Sequence, residues 1–280
     1  MGWQVLIGLN AGIFGRATVE EALQRTADAG ADGCELNIGE TGPFSLESSS
    51  EELHRVRAAA DARGVRLPSV HCGLHWRYPL SAPDAETRTR GIRALERSLE
   101  IGAELGAGVL LVVPGVVTPQ VRYADAYARA QDGVGQLARR AESLGIRIGV
   151  ENVWNRFLLS PLEMARFIDE LGSPAVGAYF DVGNILAYGY PQDWIATLAE
   201  RIVAVHFKDY RNDVPGGGGF VALLEGDVPW ADCVVGLRTV GYDGFVTAEL
   251  PPYRHLPGRA APDTVGAMRA IVAMGGNGHG

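Results

Sequence analysis

Arg147-Ile148-Gly149-Val150-Glu151-Asn152-Val153 is the stretch on which the fold turns: a short apolar run that closes on a carboxylate. The same arrangement returns three times downstream. Asp181 follows Ala178-Tyr179-Phe180, His206 follows Val203-Ala204-Val205, and Glu249 follows Val246-Thr247-Ala248. A charged side chain in an apolar strand is costly unless it is paired or bound to a metal. A single one is explained by a hydrogen bond to a neighbouring loop. Four on successive strands point to a shared site, because residues at the C-terminal ends of parallel strands converge on one face of a barrel. Three carboxylates and one imidazole suit a hard divalent cation, Mn²⁺, Mg²⁺ or Co²⁺, better than a thiolate-seeking metal.

Outward from this stretch, β-branched runs alternate with helical patterns. Candidate strands cover residues 5–9, 33–38, 67–71, 109–113, 147–153, 177–181, 202–208 and 245–250. Between them, apolar residues recur at three- and four-residue spacing over 18–29, 48–63, 85–105, 121–144, 161–171, 193–200 and 230–240. Gly30, Gly64, Gly106, Gly145, Gly172 and Gly241 stand where such helices stop, in the left-handed conformation that glycine adopts with least strain. Eight βα units with buried strands read as an α/β protein, a single (β/α)₈ TIM barrel over residues 1–273, with a flexible tail over 274–280. The rival is a doubly wound open sheet. Its dinucleotide-binding form needs a glycine-rich turn after the first strand, and Gly8-Leu9-Asn10-Ala11-Gly12 lacks the GxGxxG spacing. The longest irregular stretch, 209–227, contains Gly216-Gly217-Gly218-Gly219 and reads as a lid over the catalytic end.

A chain of 280 residues with 47% hydrophobic residues is enough for one barrel without a second domain. The net charge of -8 argues against non-specific binding to nucleic acid or an anionic membrane. No apolar run reaches the roughly 20 residues that span a bilayer, and the first residues lack the charged and apolar regions of a signal peptide. Cys34, Cys72 and Cys233 are odd in number and widely spaced, which fits a reduced, cytoplasmic protein without a disulfide framework. A homo-oligomer is compatible with a barrel of this kind, though no interface is legible in the sequence.

Other residues near the strand ends carry two readings each. Asn184, three positions after Asp181, either reaches a substrate hydroxyl or caps a helix. Lys208 shares a strand face with His206 and either contacts substrate or pairs with a ligand carboxylate. His71, His75 and Arg77 follow the third strand, and Trp76 and Phe14 can wall a sugar ring or simply pack their loops. Glu35 can point into the barrel mouth. Asn155 and Arg156 follow the fifth strand and either bind substrate oxygens or belong to a surface loop.

The segments Val150-Glu151-Asn152, Phe180-Asp181-Val182-Gly183-Asn184, Val205-His206-Phe207-Lys208-Asp209 and Ala248-Glu249 resemble the sugar phosphate isomerase/epimerase superfamily, the xylose isomerase-like TIM barrels. Pro79-Leu80-Ser81-Ala82-Pro83-Asp84, with Arg88 and Gly91, and Glu225-Gly226-Asp227-Val228-Pro229-Trp230 are similar to the sugar 3-epimerase branch. The likeness spans about residues 3–273. It implies that Glu151, Asp181, His206 and Glu249 hold Mn²⁺ or a similar ion, and that Glu151 and Glu249 are the acid/base pair. It implies a substrate contact from Arg211, which joins His71, Asn184, Lys208, Asn155 and Trp76 as the candidate substrate contacts. One departure stands out: family epimerases often carry a histidine three residues after the strand-six aspartate, and this chain has Asn184. Arg211 stands for the substrate-binding arginine that the resemblance leads one to expect after strand seven.

Such residues suit proton transfer next to a carbonyl. A divalent ion stabilises the enediolate oxygen as a Lewis acid, one carboxylate removes the proton, and a second returns one on the opposite face. The partner is then a small sugar or sugar phosphate. The same start serves a lyase or dehydratase acting on a keto-inositol or 3-keto glycoside, and a non-catalytic sugar-binding subunit is the remaining alternative. A DNA-repair endonuclease on this barrel would want more than six histidines and a basic groove.

Overall fold

The computed structural model describes residues 4–275. Eight parallel strands close a barrel: β1 (Leu6–Asn10), β2 (Gly33–Ile38), β3 (Ser69–Cys72), β4 (Val109–Val112), β5 (Arg147–Glu151), β6 (Val176–Asp181), β7 (Ile202–Phe207) and β10 (Phe245–Ala248). Neighbours follow chain order around the ring, and β10 pairs with β1 to complete it. No edge strand is left in this sheet, which is how a barrel avoids unpaired backbone groups.

The helices form where local signals place them. In α1 (Val19–Ala29) and α2 (Ser50–Asp61), Thr18 and Ser49 form reciprocal capping boxes with Glu21 and Glu52. Asp84 caps α3 (Ala85–Leu105), and Ser160 caps α5 (Pro161–Leu171) with proline at its first position. α4 (Tyr123–Leu144), α7 (Pro191–Leu198) and α8 (Trp230–Thr239) fill the remaining intervals, with a one-turn α6 (Val182–Ile185) directly after β6. All six glycines expected at helix ends have positive φ, between 62° at Gly172 and 77° at Gly241. α9 (Ala260–Met274), not among the helices expected from the sequence, packs against α1 and α8.

Several boundaries differ from expectation, most by one or two residues. β5 ends at Glu151 and β7 at Phe207, so both strands stop where their functional side chains begin to face the mouth. Asn152 leaves the ladder to exchange hydrogen bonds with the backbone of Asp181. The stretch 209–227 is not irregular throughout: β8 (Asp209–Tyr210) and β9 (Phe220–Val221) pair as an antiparallel ribbon. Helix α9 continues to Met274, inside the expected tail, and residues 276–280 of that tail lie outside the described residues.

Strand alternation divides the core. Most apolar side chains face outward into the layer between barrel and helices. Inside lies a second cluster of Val109, Leu111, Val113, Val153, Tyr179 and Ala204. Among the described residues no helix is long and apolar enough to cross a membrane.

Candidate metal and active site

The alternation that buries Tyr179 and Ala204 also turns Asp181 and His206 inward, two residues further along β6 and β7. Glu151 ends β5, and Glu249 follows β10 by one residue. One ligand atom from each of Glu151, Asp181, His206 and Glu249 lies within 4.8 Å of every other. Two ligands about 2.1–2.3 Å from one ion can stand at most about 4.6 Å apart, so the group is already near the size of a single coordination shell. His206 Nδ1 is 3.3 Å from Glu151 Oε1, 3.8 Å from Glu249 Oε2 and 3.9 Å from Asp181 Oδ2.

The site is largely buried and rich in carboxylates. Glu151 and Asp181 are buried, while Glu249 is the accessible member, with its side chain 31% exposed. Burial pushes the Glu151 carboxyl up to about 7, against the hydrogen bond from His206 and with the charge of Glu249. Burial likewise raises Asp181, partly offset by Lys208 and His206. For Glu249, burial is outweighed by the Lys208 and His206 charges, which hold its carboxyl below the usual range. Burial opposes the charge of His206, yet Glu35 and Glu151 carry its pKa well above the ordinary value. Lys208 Nζ stands 3.2 Å from Asp181 Oδ2 and forms an ion pair with Glu249 Oε2. It also lies 5.0 Å from the centroid of the Phe220 ring on the ribbon, within cation–π range.

Asp181 Oδ2 is buried and accepts no hydrogen bond. Its nearest cationic neighbour is Lys208, and three clustered carboxylates share a single lysine and the histidine, an excess of negative charge that a divalent cation would balance. The donor set is oxygen and imidazole. The three cysteines are buried elsewhere, and burial pushes the Cys34 thiol up to about 12. These residues fit a hard divalent ion.

His71 and Lys208 line a mouth cavity of about 490 Å³, together with Asn10, Asn37, Phe220 and Glu249. The other expected substrate contacts are engaged elsewhere. Asn184 is not the cap of α6; Asp181 is, accepting from Asn184 N–H at 2.8 Å. The Asn184 amide donates to the Asn152 carbonyl at 3.0 Å. Asn155 is buried, donates to the Gly115 carbonyl at 2.7 Å and accepts from Phe157 N–H, so it shapes its loop. Arg211 is paired through two nitrogens with Asp213. Trp76 is exposed, with its ring edge-on to His75. Phe14 and His75 are buried, and Arg77 pairs with Glu40. A larger cavity, about 600 Å³, is lined by Arg57, Arg66, Arg147, Ser69 and Tyr179 and includes none of the four ligand residues.

Sequence reasoning missed Asn10, Ser69 and Tyr179, which surround Glu35. The available signal was strand parity: Tyr179 lies two residues before Asp181, and Ser69 two before His71.

A family model described as "Xylose isomerase-like TIM barrel" matches residues 23–271. The L-ribulose-5-phosphate 3-epimerase of Salmonella paratyphi C (strain RKS4594) is 26% identical over 233 residues, covering 82% of this chain and 81% of its own. Its counterpart in Escherichia coli O157:H7 (strain EC4115 / EHEC) is 27% identical over the same length and shares. Among solved structures, an L-ribulose 3-epimerase superposes with a TM-score of 0.81 at 17% identity, over 96% of this chain and 95% of its own. A D-psicose 3-epimerase from Clostridium cellulolyticum H10 gives 0.79 at 18% identity, over 95% and 99%. These structural likenesses establish the shared fold.

Proposed function

The chain belongs to the xylose isomerase-like TIM barrel family, and we propose that it is a divalent-metal-dependent sugar or sugar-phosphate epimerase or isomerase, with 3-epimerisation of a ketose phosphate the first reaction to test. The observation that carries this reading is the meeting of Glu151, Asp181, His206 and Glu249 within 4.8 Å at the mouth of the barrel. The curated relatives, named as ketose-phosphate 3-epimerases, support the choice of reaction.

The four residues would hold the ion, Mn²⁺ first among the candidates because an imidazole, a borderline donor that Mg²⁺ takes less readily, joins three carboxylates. When bound, a divalent ion supplies Lewis-acid polarisation of a carbonyl and its neighbouring hydroxyl. The chain's own groups do the rest. Glu249, reached from the mouth cavity, and Glu151, buried beside it, are the two acid/base groups. One removes the proton beside the carbonyl and the other returns one to the opposite face of the enediolate. Lys208 lines the cavity and donates to a substrate oxygen that gains negative charge. Asn10, Asn37 and His71 offer hydrogen bonds to hydroxyls along the same wall. Three buried free cysteines fit a reducing compartment, and we place the protein in the cytoplasm.

Asn184 favours a second reading. Its amide is held by the Asn152 carbonyl, where the family resemblance leads one to expect histidine. On a keto-inositol, one carboxylate would take the proton beside the carbonyl and the other would protonate the β-hydroxyl as it leaves as water.

A metal-reconstituted screen of ketoses, ketose 5-phosphates and keto-inositols in D₂O, read by NMR, tests both. Deuterium beside the carbonyl with a new epimer or isomer supports the first reading. Deuterium uptake with loss of water moves the assignment to a lyase. Bound metal with no exchange in any compound would sink both.

A further inference from the structure

Glu35 lies on β2, is fully buried and is not one of the four ligand residues. A carboxylate kept out of water is costly unless its oxygens are fully engaged, and these are. Its Oε1 accepts from Asn10 Nδ2 at 2.6 Å and faces His206 Nε2 at 3.0 Å. Its Oε2 accepts from Ser69 Oγ and Tyr179 OH, each at 2.6 Å. An ionised carboxylate can only accept, so the His206 nitrogen that faces it carries the proton. In neutral His206 the lone pair is then on Nδ1, the atom that faces Glu151, Asp181 and Glu249. The Tyr179 ring packs against the imidazole at 4.4 Å between centroids, so one residue braces both Glu35 and the ring.

We propose that Glu35 is the positioning residue of His206: its contact with Nε2 fixes the ring orientation and tautomer that present Nδ1 to a divalent cation, and so sets how tightly the site holds it. This rests on the metal-site reading above. Through Asn10, which also pairs with Asn37 at 3.0 Å, the same carboxylate is tied to the cavity wall. Carboxylate partners of this kind typically change metal affinity by about 10–100-fold when removed.

Glu35→Gln is the informative variant. Its amide oxygen can still accept from Asn10 and His206, and its NH₂ can donate to the oxygens of Ser69 and Tyr179. Shape is retained and the charge is lost. Calorimetric titration of the metal-free proteins with MnCl₂ should show about 10–100-fold weaker binding in Glu35→Gln, with the melting temperature of the metal-free protein unchanged within a few degrees. With diamagnetic Mg²⁺ bound, ¹⁵N spectra should show the wild-type His206 neutral and protonated on Nε2, and at the same Mg²⁺ concentration a fraction of the variant's His206 in other protonation forms. Wild-type affinity and tautomer in a folded Glu35→Gln overturn the proposal and leave the metal-site reading standing. A wild-type protein that binds no Mn²⁺, Mg²⁺ or Co²⁺ overturns both. If Glu35→Gln does not fold, Tyr179→Phe decides: it keeps the ring contact and removes one donor, and a several-fold loss of Mn²⁺ affinity supports the proposal where no loss overturns it.

Discussion

Asn184 N–H donates to Asp181 Oδ1 at 2.8 Å, which leaves the second oxygen of that carboxylate to the ligand cluster. One side chain thus divides its work. Oδ1 starts helix α6, and Oδ2, with no hydrogen bond, faces His206 and Lys208. The turn that makes this possible brings Gly183 against the backbone of Lys208, the residue that follows β7.

Asp181→Asn should separate the two tasks. The amide oxygen still caps α6, while the charge aimed at the cation is gone. In the wild type, Mn²⁺ at about 100 times its dissociation constant adds about 2.7 kcal/mol of stability. Thermal melts with and without Mn²⁺ should show that gain in the wild type and almost none in Asp181→Asn. An equal gain in both would remove Asp181 from the ligand set.

Gly183→Ala should damage the site through packing alone. A Cβ at Gly183 would stand 2.4 Å from the Lys208 carbonyl oxygen, which belongs to the backbone and cannot swing away. Overpacking of this kind costs about 1–3 kcal/mol. It displaces α6 from Lys208, so both urea stability and turnover are expected to fall. A variant with wild-type melting and activity would show that the contact relaxes without cost.

Asp209→Ala should loosen the ribbon over the mouth. The Asp209 carboxylate is buried and accepts from the N–H groups of Tyr210, Leu224, Gly226 and Val228 and from Trp230 Nε1, at 2.9 to 3.3 Å. Its removal strands several buried donors at once, at a cost of about 3 kcal/mol or more. Urea denaturation measures the loss, and Trp230 fluorescence in the native state should shift as its indole partner disappears. A loss below about 1 kcal/mol would mean that the loop finds other acceptors.

His75 should make the fold sensitive to mild acid. Burial, reinforced by the neighbouring His71, pushes its pKa down to about 3, and its Nδ1 has no hydrogen-bond partner. An unfolded chain takes up this proton near pH 6.5, whereas the folded protein takes it up only near 3. The contribution of neutral His75 is therefore complete above pH 6.5. It declines as the pH falls toward 3, by up to about 1.4 kcal/mol per pH unit. The stability difference between wild type and His75→Phe, followed from pH 7 to 4, should carry this slope. A difference independent of pH would show that His75 titrates normally.

The sequence by itself determined the barrel, because its signals are local. Short apolar strands, capping boxes at Thr18 and Ser49, and glycine stops from Gly30 to Gly241 each act within a few residues. It also brought Glu151, Asp181, His206 and Glu249, the candidate ligands, to one place, since parallel strands in a closed barrel leave their C-terminal residues on one face. Tertiary structure alone decided what the remaining polar groups do. Asn155 and Asn184 spend their amides on carbonyls 40 and 32 residues away, which no local pattern shows. The chain beyond the ribbon folds back because a buried carboxylate at Asp209 gathers N–H groups up to 21 residues distant. The support beneath His206 joins Glu35 to residues 144 and 171 positions further along the chain. Strand parity says only that these side chains point inward; closure of the barrel decides which of them meet.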